Sequence, residues 1–211
     1  MQLVDHMLLD REWAQSPAFL VLLSCCDGAE FLPALLDSIL GQDYTRHQIL
    51  IRDDASRDGT LALLNEYARR SDRQITILPS SCEQRLGPRE SFRQLLQHGL
   101  DDGYDVDFFL FADQDDVWLP HKLSSLAQRI GAEGLDASQP VLLHSDLRVV
   151  GRDLELLHPS YLSYQGLNAR ANRPGDIALV NTVTGCSMAI SKALAERCEA
   201  ESNERTLRFS C

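Results

Sequence analysis

The run from Ala18 to Leu23 is continuously apolar, closes on Ser24 and stops at Cys25-Cys26-Asp27-Gly28. That profile predicts a strand buried on both faces and followed by a turn. Phe31, Leu35, Leu36, Ile39 and Leu40 then recur at helical spacing up to Gly41, a residue suited to ending a helix. The alternation repeats: Gln48 to Arg52 reads as a strand, Asp53 to Gly59 as a polar loop, and Leu61, Leu64 and Tyr67 as one helical face. A third unit follows, with Ile75 to Leu78 as strand, a loop through Pro88, and Phe92, Leu95 and Leu96 on the next helix. Three strand–helix units in succession predict an α/β fold with a mostly parallel sheet flanked by helices.

A fourth strand, Phe108 to Ala112, runs directly into Asp113-Gln114-Asp115-Asp116, and a helix is expected from Pro120 to about Ile130. Beyond it the pattern is less regular. Val141 to Val150 suits a strand and hairpin, Val180 to Ile190 reads as one further strand with Gly185 inside it, and Lys192 to Ala200 as a helix. This second half forms a smaller, antiparallel portion. One domain is expected over 18–200, preceded by a leader over 1–17 and followed by a polar tail over 201–211.

Charge narrows the function. With 31 acidic against 20 basic residues the chain carries a net charge of -11, and no Lys/Arg-rich run offsets it, so nucleic acid is excluded as a partner. The six cysteines show neither a C-x-x-C pair nor a regular spacing, which argues against a zinc site or a disulfide framework and fits a reducing cytoplasm. Asp5, Asp10, Arg11 and Glu12 break up any secretory h-region, and no apolar run is long enough to span a bilayer. The expected location is cytoplasmic, with at most peripheral contact at the inner face of the membrane.

In open α/β sheets, ligands bind outside the carboxyl ends of the strands. Ser24, Asp53 and Asp113 share that rim. Asp113, Asp115 and Asp116 lie within four residues, where mutual repulsion calls for a cation, and Mg²⁺ or Mn²⁺ held by one or two carboxylates against a substrate diphosphate is the natural remedy. A short acidic run is more often a solvated turn or helix cap. A second acidic pair, Asp53-Asp54, closing an earlier strand on the same rim, shifts the balance toward a site. At least one of these two is expected to accept hydrogen bonds from a nucleotide, with Asp58 and Thr60 structural.

The segments Phe19 to Ser24, Ile51 to Thr60, Phe111 to Trp118 and Asn181 to Met188, in that order, resemble family 2 glycosyltransferases, and within them the rhamnosyltransferase-like branch. The resemblance spans about Phe19 to about Ala200. It implies the GT-A fold, a nucleotide-diphosphate-sugar donor, inverting transfer to a polysaccharide or lipid-linked glycan acceptor, and a Mg²⁺ or Mn²⁺ cofactor. The nucleotide-sugar part would cover about 18–120 and the acceptor side about 140–200. Residue by residue, the metal role falls on Asp113 and Asp115. Nucleotide-sugar contacts fall on Ser24, Asp53, Asp54, Arg85, Asp113 and Gln114, with Arg85 standing where the family has asparagine. The acceptor side falls on Asp116, Trp118, Gly185 and Cys186, although Trp118 is equally compatible with packing. His144 and Asp146 belong to the same pattern as support for the site.

Inverting transfer needs a general base. The family supplies one from an acidic motif downstream of Thr-Gly-Cys, typically His-Asp-Trp in this branch, and this sequence contains no such tripeptide. The base is therefore expected beyond Cys211, the chain is expected to be C-terminally truncated, and the catalytic residue is unassigned. Two alternatives stay open: a catalytically silent nucleotide-sugar-binding module, and a metal-dependent phosphohydrolase.

Overall fold

The computed structural model describes residues 16–71, 75–79, 85–167 and 182–208. Strands β1 (Phe19–Cys25), β2 (His47–Asp53), β3 (Ile75–Leu78) and β4 (Phe108–Asp113) alternate with helices α1 (Leu32–Leu40), α2 (Thr60–Arg70) and α3 (Pro88–Asp101). Helix α4 (Lys122–Glu133) follows β4, then β5 (Leu142–His144), a hairpin of β6 (Val149–Val150) and β7 (Leu156–His158), the short α5 (Tyr161–Tyr164), β8 (Met188–Ser191) and α6 (Lys192–Arg208). The sheet order is β3-β2-β1-β4-β8-β5. β3, β2, β1 and β4 are parallel, and β8 runs antiparallel between β4 and β5.

The apolar runs are central strands because both of their faces are covered. On β1, Phe19, Val21, Leu23 and Cys25 pack with α1, α2 and α4 through Leu32, Leu35, Leu36, Ile39, Leu64, Leu123 and Ala127. Leu20 and Leu22 point the other way, toward Leu95 and Leu96 of α3 and Ala195 of α6. The period-2 alternation of the strand thus feeds two cores, and each fully buried Leu or Phe adds about 1.5–3 kcal/mol. Helix α3 lies close on the sheet at Gly99, where an added Cβ would stand 2.8 Å from both Leu20 and Phe109 side-chain atoms.

Two expectations change here. The segment read as a strand from Val180 to Ile190 is interrupted: residues 180 and 181 lie outside the described residues, Gly185–Ser187 form a 3₁₀ turn, and only Met188–Ser191 pair as β8. The turn is fixed by Ser187, whose hydroxyl donates to the Thr184 carbonyl (2.9 Å) and accepts from the Thr184 hydroxyl (2.8 Å). Val141 to Val150 divides into β5 and β6, and β6 pairs with β7 in a separate two-stranded sheet. Among the described residues no helix is long and apolar enough to cross a membrane.

Candidate active site at the carboxyl ends of the parallel strands

Ser24 is paired in register with Arg52 on one side and Asp113 on the other, so β1, β2 and β4 end level with one another. Their last residues and the following loops form one rim. Asp27, with φ of 49°, is a junction of that rim: its backbone N–H donates to the Ser56 hydroxyl (2.9 Å), its carboxylate accepts from the Arg57 N–H (2.7 Å), and Arg85 closes an ion pair on its second oxygen. Asp58 and Thr60 complete the loop packing, Asp58 accepting from the Ala29 N–H (3.2 Å) and Thr60 from the Gly28 N–H (2.9 Å).

Asp53 and Asp54 are both buried, yet they are used differently. Asp54 is saturated. It accepts from the backbone N–H groups of Leu86 and Gly87 (2.8 Å each) and from Arg52 Nη1 (2.7 Å). Arg52 follows the strand alternation onto the α3 face, where it also donates to Ser91 Oγ (2.8 Å) and Gln94 Oε1 (3.1 Å). Burial on its own would raise the Asp54 carboxyl, but the donors at Leu86, Arg52 and Gly87 outweigh it and hold the group below the usual carboxylate range. Asp54 therefore pins the Leu86-Gly87 loop. Among the described residues, Asp53 accepts only from the backbone N–H and hydroxyl of Ser56, which leaves acceptor capacity on its carboxylate.

Gln114 turns back onto β1. Its Oε1 accepts from the Cys26 N–H (2.8 Å) and its Nε2 donates to the Cys26 carbonyl (3.2 Å), so its amide braces the β1 and β4 loops against each other. Trp118 is 4% exposed and belongs to the core under α1, with its backbone N–H donating to Ser38 Oγ (2.9 Å).

The acidic run is a turn in which the Asp116 N–H donates to the Asp113 carbonyl (3.2 Å). That i to i+3 closure brings Asp116 back beside Asp113 and leaves Asp115 facing solvent. From the opposite side the 3₁₀ turn delivers Cys186, and ligand-capable atoms of Asp113, Asp116 and Cys186 all lie within 4.8 Å of one another. The Cys186 thiol is pushed up to about 12, first by burial and then by the Asp116 charge. Loss of water around the Asp113 and Asp116 carboxyls raises both, and the neighbouring acidic charges add to this, against the lowering effect of the Cys186 thiol and of Lys122.

Lys122, at the start of α4, had no place in the sequence reading. Its Nζ donates to the Cys186 carbonyl (2.9 Å) and sits 4.0 Å from the centre of the Trp118 ring. Burial brings the ammonium down to about 8, with Asp116 pulling the other way. A signal existed in the sequence: it is one of only two lysines in an acidic chain, six residues past Asp116. His144 lies on β5 opposite Met188, and Asp146 accepts from the Leu147 and Leu162 N–H groups, ordering the approach to α5.

The donor set suits a hard divalent cation. Asp113 and Asp116 offer adjacent carboxylate oxygens, Asp115 is exposed next to them, and backbone and diphosphate oxygens can complete such a shell. Beside the Asp113 and Asp115 pair expected from the sequence, the turn adds Asp116, with a carboxylate oxygen within 4.8 Å of one of Asp113.

Comparison with known proteins places this geometry. Residues 20–197 match the model of "Glycosyl transferase family 2". EpsE of Bacillus subtilis (strain 168), assigned by name to the glycosyltransferases, is 28% identical over 107 residues, covering 51% of this chain and 36% of EpsE. Among solved structures, the mannosyltransferase PcManGT from Pyrobaculum calidifontis in complex with GDP-Man and Mn²⁺ superposes with a TM-score of 0.60 at 18% identity, over 93% of this chain and 53% of that one. S. aureus TarS in complex with UDP-GlcNAc superposes with a TM-score of 0.52 at 23% identity, over 64% of this chain and 36% of that one. The chain thus spans about a third to a half of the length of these proteins, and the solved structures share its mostly parallel GT-A sheet. On the match across 20–197, the chain belongs to glycosyl transferase family 2.

Proposed function

We propose that the chain is the donor-binding part of a metal-assisted, inverting glycosyltransferase that moves a sugar from a nucleoside-diphosphate donor to a polysaccharide or lipid-linked glycan at the inner face of the membrane. The observation that carries this reading is the convergence of Asp53 and the Asp113–Asp116 turn at the level ends of three neighbouring parallel strands. The complexes of TarS with UDP-GlcNAc and of PcManGT with GDP-Man and Mn²⁺ support the donor class and the metal. Rhamnose or a similar deoxyhexose rests on the likeness of the Phe111 to Trp118 and Asn181 to Met188 motifs to one branch of the family.

In this reading Asp113 and Asp116 hold the cation, with Asp115 reaching it from the solvent side, and a bound Mg²⁺ or Mn²⁺ stabilises the charge of the departing diphosphate. Asp53 uses its remaining acceptor capacity on N–H or hydroxyl donors of the nucleoside. Ser24 lies between the two acidic strand ends and offers a hydroxyl to the same ligand. Arg85 exchanges its exposed ion pair with Asp27 for a phosphate oxygen. Gln114 and Asp54 act indirectly by fixing the loops, and the 3₁₀ turn with Gly185 and Cys186 forms the wall on the acceptor side. The acceptor oxygen attacks the anomeric carbon, the bond from that carbon to the diphosphate oxygen breaks, and the hydroxyl proton goes to a base outside the assigned residues.

Incubation with Mn²⁺, a panel of nucleotide sugars and glycan acceptors tests the proposal. Transfer from one donor supports it in full. Saturable binding without transfer reduces the chain to a binding module, and phosphate release without donor preference points to a phosphohydrolase instead.

A further inference from the structure

The Asp113–Asp116 turn carries more negative charge than a divalent cation can balance. Asp113, Asp115 and Asp116 together bring three carboxylates, so a centre loaded with Mn²⁺ alone keeps one net negative charge toward an incoming diphosphate. A fixed cation beside the turn would cancel it. Lys122 is built into that place. Its ammonium is held at two points, by the Cys186 carbonyl at 2.9 Å and by the face of Trp118 at 4.0 Å, and Trp118 is itself locked in the core. Both anchors are neutral, so the positive charge is not consumed by a hydrogen-bonded ion pair, and it acts on both Asp116 and Asp113. Holding the ammonium on Cys186 also ties the 3₁₀ turn, more than sixty residues away in sequence, to the helix that follows the acidic run.

We propose that Lys122 is a positioning residue for the donor site, a resident counter-charge that weakens the grip of the acidic turn on its cation and in exchange keeps the loaded centre neutral toward a nucleoside diphosphate. This rests on the metal-site reading above. A purely structural lysine predicts that its loss loosens the turn and weakens every ligand. A counter-charge predicts opposite signs for the two ligands: tighter metal, weaker diphosphate.

The test is Mn²⁺ titration followed by the paramagnetic resonance of the free ion, and UDP and GDP titration at saturating Mn²⁺, on the wild type, Lys122→Met, Lys122→Gln and Lys122→Arg. Both neutral variants are expected to bind Mn²⁺ more tightly by on the order of tenfold, the influence of one nearby unit charge in a partly solvated site, and to bind the diphosphate more weakly. Lys122→Arg is expected to return both affinities toward the wild type. If one neutral variant fails to give a cooperative thermal transition, the other supplies the comparison. Mn²⁺ affinity that is unchanged or weaker in a folded neutral variant overturns this proposal while leaving the metal site standing. A wild type with no saturable Mn²⁺ binding overturns both.

Discussion

The side-chain amide of Gln114 holds both polar groups of the Cys26 backbone, Oε1 accepting from its N–H at 2.8 Å and Nε2 donating to its carbonyl at 3.2 Å. The two loops that carry the rim, one after β1 and one after β4, are thereby joined by a residue lying between two acidic neighbours. Gly28 makes room for it, because a Cβ there would stand 2.6 Å from Gln114 Oε1. Gly28→Ala is expected to push the amide off Cys26 and lose these bonds, a destabilisation of about 1–3 kcal/mol by denaturant titration. The double variant with Gln114→Ala should be no less stable than Gly28→Ala alone, since the clash then has no partner. Additive losses would show that the two residues do not compete for one space.

Arg52 and Asp54 form a buried pair with side chains only 5% and 4% exposed. Asp54→Ala leaves the guanidinium without its anion and frees the Leu86 and Gly87 amides, so stability is expected to fall by about 3–5 kcal/mol. A loss below 1 kcal/mol would mean that the loop and Arg52 find other partners.

The same carboxylate sets an acid dependence. Its folded value lies below the ordinary 3.8, so its stabilisation is complete above that value and is lost as pH falls through the lower, folded one. Asp54→Asn is expected to flatten that acid limb in unfolding free energy measured against pH. An unchanged limb would assign acid sensitivity elsewhere.

Gly99 tests the packing of α3 on the sheet. Gly99→Ala places a methyl group 2.8 Å from Leu20 Cδ2 and Phe109 Cε1, both in fully buried side chains. Overpacking of this kind costs about 1–3 kcal/mol and is read as a lowered midpoint in thermal or denaturant unfolding. A stabilised variant, the usual result for glycine replaced in an open helix, would contradict the close approach.

The parallel half of the fold was legible because its signal is local. β1, β2, β3 and β4 are short apolar runs that end in polar turns, and both faces of β1 had to be covered, as they are. The antiparallel insertion of β8 between β4 and β5 has no local signal, since strand order is decided by long-range pairing, and the 3₁₀ turn at Gly185–Ser187 was hidden within a Thr- and Val-containing run of strand-like composition. At the site, the residue types placed the acidic rim, but their division of labour depended on backbone geometry. Asp54 and Gln114 bond to loop backbone, Asp54 to the Leu86 and Gly87 N–H groups and Gln114 to both polar groups of Cys26, partners that composition does not reveal. The i to i+3 turn that joins Asp116 to Asp113, and the approach of Lys122 and Cys186 from separate elements, are tertiary facts in the same sense.

The most direct test of the account is calorimetric titration of nucleoside diphosphates with and without Mn²⁺, on the wild type, Asp113→Asn and Asp115→Ala. The account predicts saturable binding that requires the metal, is removed by chelation, and is lost in both variants while their thermal transitions stay close to that of the wild type. Metal-independent binding, or unchanged Mn²⁺-dependent affinity in the two variants, would contradict it.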